Sequence, residues 1–128
     1  MFSYLAKDFD YNTVAEVDQV MGAFFMIRRS VVDELGPLDE KYFYWFEEVD
    51  YCRRAKNAGL KVIYTPEPSI IHHGAMSFRQ LDWRKQIIWN HSLQHYFWLH
   101  DKKWQWFILW LLQPISILFA ILIDLWRR

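Results

Sequence analysis

Glu47, Glu48 and Asp50 place three carboxylates within four residues, and Arg53 and Arg54 follow at once. The run Tyr42-Phe43-Tyr44-Trp45-Phe46 leads straight into them. A carboxylate held at a helix start beside an aromatic wall can act as a general base toward a hydroxyl. The wall itself offers apolar faces to a ring-shaped substrate. A plainer reading fits equally well. Acids in a first turn complement the positive end of the helix dipole, and Asp50 with Arg54 makes an i,i+4 pair. His72 and His73 close an apolar run. Side chains alternate across an extended strand, so at most one of the two can face a given site. A neutral imidazole is a common metal ligand, but one histidine does not make a metal centre. Gly22, inside another apolar run, marks either close packing or the approach of a ligand to the backbone.

The elements that must position these groups follow from pattern. Residues 1–15 show no clear period and read as irregular. The continuous apolar run 20–27, ending in Arg28-Arg29, predicts a strand buried on both faces. Ser30 reads as an N-cap for a short helix over 31–35, stopped by Gly36-Pro37. A second helix is expected over 47–58, with Gly59 as its stop and Val49, Cys52 and Ala55 as its inward stripe. Residues 61–64 and 69–73 read as extended pieces. Strand, helix, helix, strand is an α/β order. The small amount of strand suggests the edge of a larger sheet. Residues 81–100 turn helical, with Ile87, Ile88, Leu93, Tyr96 and Phe97 as apolar positions. Residues 104–126 are mostly apolar and long enough to cross a bilayer. Gln113, Pro114, Ser116 and Asp124 interrupt that stretch, and Pro114 is expected to kink it. Spanning the membrane, lying in its interface and burial in a soluble fold all remain open for it.

Composition narrows the function classes. At 128 residues the chain suits one small domain. Fifteen basic and fifteen acidic residues cancel, which argues against a nucleic-acid binder. The single cysteine, Cys52, excludes a disulfide framework and any multi-cysteine zinc site. No apolar leader segment appears in residues 1–10. Aromatic residues reach 20%, far above the usual share, and concentrate in the second half.

Several stretches together resemble the family 2 glycosyltransferases, in particular the bacterial rhamnosyl- and galactofuranosyl-transferase-like branch. They are Val17-Asp18 with Gly22-Ala23-Phe24-Phe25-Met26-Ile27-Arg28-Arg29, then Leu38-Asp39-Glu40, Phe46-Glu47-Glu48-Val49-Asp50-Tyr51-Cys52-Arg53-Arg54, Ala58-Gly59, and Ile71-His72-His73-Gly74. Order and spacing match over roughly residues 16–100. The resemblance implies a GT-A fold, a nucleotide-sugar donor, a glycan or lipid-linked acceptor, and a divalent metal, Mg²⁺ or Mn²⁺. It implies Glu48 as the catalytic base, in place of the commoner aspartate. Glu47 would bind acceptor or orient the base, and Asp50 and Arg53 would support the same motif. Gly22, Ala23, Asp18, Trp45 and Phe46 would line the substrates. His72 would join the metal shell, with His73 the lesser candidate. Gln19 stands where the family commonly has an aromatic residue.

The nucleotide-binding strands and the Asp-x-Asp metal motif of that family have no counterpart in this sequence. Asp8-Phe9-Asp10 has the letters without the preceding apolar strand. The chain therefore reads as the C-terminal portion of such an enzyme. Residues 1–80 would be a partial catalytic domain, 81–102 an amphipathic helix and 103–128 a membrane-associated or transmembrane helix. The apolar end suggests work at the cytoplasmic face of a bacterial membrane. A separate chain could supply the other half of the enzyme. A non-catalytic, membrane-attached interaction module is the competing reading, and a soluble zinc hydrolase a distant third.

Overall fold

The structure is a computed structural model that describes residues 9–73 and 82–127. Four helices surround a small core. They are α1 (Arg29–Leu35), α2 (Glu47–Asn57), α3 (Arg84–His100) and α4 (Lys103–Arg127). Strands β1 (Ala15–Glu16) and β2 (Ile63–Tyr64) pair antiparallel, with Ala15 opposite Tyr64 and Glu16 opposite Ile63. Val17 N–H adds a bond of 2.9 Å to the Val62 carbonyl.

Helix α2 is the centre of the molecule. Its inward side carries Tyr51, Cys52 and Ala55, which with Tyr42 and Val62 form the apolar core. Val49 is only half-buried, so the expected stripe is displaced toward Tyr51. Gly59 ends the helix at φ 78°, a left-handed value that a side chain resists, and Leu60 N–H returns to the Ala55 carbonyl. Gly36 ends α1 in the same region, at φ 80°. Its carbonyl accepts a hydrogen bond from the Tyr51 hydroxyl at 3.0 Å, which ties α1 to α2.

Three expectations from sequence need correction. The apolar run 20–27 is not a doubly buried strand: Gly22–Phe24 form a single 3-10 turn, and Met21 and Met26 are exposed. A strand buried on both faces needs paired neighbours and a layer on each side, and β1 with β2 supplies neither. Residues 69–73 run without strand pairing, again for want of a neighbour. Helix α1 begins at Arg29 rather than after Ser30, and Arg28 occupies the cap position.

Helix α3 also departs from its expected form. Its fully buried residues are Asn90 and Ser92, and Ile87 is exposed. The inward side combines polar bonds such as that of Ser92 with ring contacts of Trp89 and Tyr96. The α4 helix is continuous through Pro114. It is long and apolar enough to cross a membrane by length and composition.

Candidate active site

The acid pair begins α2, and an unusual turn aims it. Trp45 and Phe46 both have left-handed backbones, at φ 60° and 72°. Two bulky aromatic residues in that region cost on the order of 1–3 kcal/mol each unless their surroundings hold them there. Helix α3 does the holding. Trp89 packs edge-on against Trp45 at 5.3 Å and against Phe46 at 5.1 Å. The Ser92 hydroxyl donates to the Tyr44 carbonyl at 2.6 Å. Phe46 then starts α2 by accepting from Asp50 N–H at 2.8 Å. Removing the Ser92 hydroxyl would take this bond from the turn that precedes α2. Ser92→Ala is therefore expected to destabilise the protein by about 1–3 kcal/mol, read as a lower urea midpoint with an unchanged slope.

Glu47 and Glu48 lie together against Gly22. A Cβ built on Gly22 would stand 3.6 Å from Glu48 Cδ and 3.7 Å from Glu47 Oε1. The backbone of the 20–27 run thus passes directly over both carboxylates, with no side chain between. Oε2 of each glutamate is buried and has no hydrogen-bond partner among the described residues. Burial pushes the Glu47 carboxyl above its ordinary value, its own backbone N–H opposes the shift, and the neighbouring Glu48 charge adds to it. The shift has a sign in stability. An acid whose pKa is raised by folding favours the fold while it is protonated, and that contribution is lost as pH rises through the raised value. Glu47→Gln is accordingly expected to raise Tm at neutral pH and to lose the advantage in acid, as thermal unfolding across pH would record.

Asp50 is the most enclosed carboxylate, with 1% of its surface exposed. Arg54 Nε donates to Oδ2 at 2.8 Å, and His100 Nε2 lies 2.5 Å from Oδ1. Both oxygens are engaged, so Asp50 anchors α2 to α3. Arg54 continues to the Leu35 and Pro37 carbonyls at 2.8 and 3.0 Å, which fixes the end of α1. Arg53 also turns to α3, donating to the Tyr96 hydroxyl at 3.0 Å, the His100 carbonyl at 2.8 Å and Asp101 at 3.2 Å. His95 and Asp39 lie 2.8 Å apart, and that bond, the largest influence, holds the Asp39 carboxyl below its ordinary value.

Of the residues singled out by sequence, Gly22, Glu47 and Glu48 come together, and Trp45 and Phe46 adjoin them through the turn. Ala23 is exposed beside Gly22. Asp18 pairs with Lys56 near the other end of α2. His72 and His73 are exposed on an extended segment. No three His, Cys, Asp or Glu side chains gather around a possible metal position among the described residues. The residues present do not by themselves make a metal centre. Trp89, Ser92, His95 and His100 escaped the sequence reading. Their spacing of three, three and five places them along one side of a helix, a signal hidden because only apolar positions were being traced.

A half-buried acid pair under a glycine backbone, at the start of a helix beside aromatic rings, is chemically able to withdraw a proton from a hydroxyl. Residues 8–87 match the glycosyltransferase-like family 2, and the chain belongs to that family. A GT-A-like fold goes with this membership over the matched residues, which hold α1, α2 and the two-stranded sheet. Over 61 residues the chain is 36% identical to an N-acetylglucosaminyl-diphospho-decaprenol L-rhamnosyltransferase of Mycobacterium tuberculosis, covering 48% of this chain and 20% of that protein. It is 32% identical over 57 residues to the low-salt glycan biosynthesis hexosyltransferase Agl10 of Haloferax volcanii, covering 44% and 19%. Rhamnosyltransferase WbbL of Escherichia coli K12 is 33% identical over 57 residues, covering 44% and 22%. The matched stretch is about one fifth of the length of these relatives. No solved structure matches the chain significantly.

Proposed function

We propose that this chain is the acceptor-side portion of an inverting glycosyltransferase that moves a sugar from a nucleotide-sugar donor to a glycan or lipid-linked acceptor. The observation that carries the reading is the half-buried pair Glu47 and Glu48, each with a buried Oε2 unpartnered among the described residues, beneath the bare backbone of Gly22. Glu48 takes the acceptor hydroxyl proton as that oxygen bonds to the anomeric carbon. The bond from that carbon to the nucleoside diphosphate breaks, and the diphosphate leaves with the electron pair. Glu47, kept more protonated by burial, orients the acceptor with a hydrogen bond. Asp50 and Arg53 hold the site through α3. Trp45 and Phe46 border it, with Gly22 and Ala23 beside the acids, while Asp18 stands apart on Lys56 toward the far end of α2.

In this reading His72, with His73 as the lesser candidate, would lend one ligand to a Mg²⁺ or Mn²⁺ ion whose other ligands would come from polypeptide beyond the described residues. Such an ion would neutralise charge on the diphosphate. A separate chain is one source of that polypeptide and of the donor site. Cell-surface polysaccharide synthesis at the cytoplasmic face of a bacterial membrane is the setting, supported by the glycan-building names of the relatives and by α4. Membranes bearing the full-length protein, given radiolabelled nucleotide sugars, are expected to pass label to an organic-extractable lipid or glycan. Failure with every common donor overturns the reading.

A further inference from the structure

Helix α4 is joined to α3 over its first half. The two form an antiparallel hairpin turning at Asp101 and Lys102. Near the turn, Trp98 meets Trp106 at 5.1 Å. Farther along, Gln94 Nε2 donates to Gln113 Oε1, and Asn90 Nδ2 donates to Ser116 Oγ at 2.8 Å. Within α3, Gln86 donates to Asn90 at 3.2 Å and steadies the amide that reaches Ser116. The contacts therefore reach the middle of α4, about 18 Å from its start at 1.5 Å per residue. On its other side α3 grips the globular part through Ser92, His95, Tyr96 and His100.

This geometry opposes a membrane crossing. If α4 stood upright in a bilayer, α3 would be drawn into the hydrocarbon with His91, His95 and the globular part attached to it. If α4 left α3 behind, the Gln113 side chain would face hydrocarbon without its partner, at several kcal/mol of desolvation, although Ser116 would keep its bond to the Gln113 carbonyl at 2.8 Å. Lying flat avoids both outcomes. The side of α4 away from the seam is exposed and apolar, with Trp104, Ile108, Leu111, Ile115, Leu118 and Leu122. Exposed Lys102 and Lys103 stand at one end of the hairpin and exposed Arg84 and Lys85 at the other, suited to anionic headgroups.

We infer that α4 lies in the plane of an anionic lipid surface, embedded to roughly its own width, and does not cross the membrane. The proposal adds to the sugar-transfer reading, and its test reads placement alone. Lys102→Cys and Asp124→Cys, the latter on the side of α4 opposite Leu122, would be made singly in the full-length protein, in a background lacking other exposed cysteines. Each would be treated with a membrane-impermeant maleimide in inside-out vesicles and in right-side-out spheroplasts. The unsubstituted protein is the control, because Cys52 is buried and burial pushes its thiol up. Both positions are expected to label equally from one and the same side. Labelling from opposite sides overturns the proposal. So does recovery of the protein in the soluble fraction, or protection of either position from both sides with full labelling in detergent.

Discussion

Glu48→Gln in the full-length protein is expected to lower sugar transfer by about 10²–10⁴-fold, the usual worth of a positioned general base. Nucleotide-sugar binding should remain, because the substitution keeps the shape and removes only the ability to accept a proton. The amide also relieves charge beside Glu47, so the variant should fold at least as well as the parent. Turnover and donor affinity, measured on the same preparation, separate loss of chemistry from loss of structure. Near-normal turnover in Glu48→Gln would remove that residue as the base. If Glu47→Gln instead lost transfer while Glu48→Gln retained it, the two roles would be exchanged, an outcome that the raised pKa of Glu47 makes worth measuring.

Asp50→Ala carries the largest expected cost in stability, about 3–5 kcal/mol, typical of a buried ion pair deprived of one member. Arg54 and His100 would both lose their anionic partner, and the link from α2 to α3 would go with it. Since whole domains are stable by about 5–15 kcal/mol, that is a large part of the total. Asp33→Ala is the natural comparison. Asp33 also pairs with an arginine at i,i+4 and 2.8 Å, but its side chain is 57% exposed against 2% for Asp50. Its loss is expected to stay within about 1 kcal/mol. Equal urea midpoints for the two variants would show that burial does not give Asp50 its weight.

What could be read from sequence was whatever local rules govern. Helix α2 was legible because acids mark its start and Gly59 its stop, and Asp50–Arg54 follows from one turn of helix. Helices α3 and α4 were legible from length and apolar content. The 20–27 run misled, because apolar content reports a wish to be buried without saying whether neighbours exist to do it. The buried polar face of α3 was illegible for a related reason. Asn90, Ser92 and His100 look like surface residues until their partners at Ser116, Tyr44 and Asp50, 26 to 50 positions away in sequence, are known. At the site, the closeness of Glu47 and Glu48 came free with adjacency, whereas the covering role of Gly22 depended on a chain path that no local pattern encodes.

The left-handed pair Trp45 and Phe46 carries one more implication. L-residues of this bulk do not choose such a bend, so nothing in the stretch leading into α2 would keep it if the stretch were cut loose. The direction in which the two carboxylates point is stored in the indole of Trp89 and the hydroxyl of Ser92, more than forty residues downstream. Reactivity here is a property of assembly: the acids are written in one place and aimed from another.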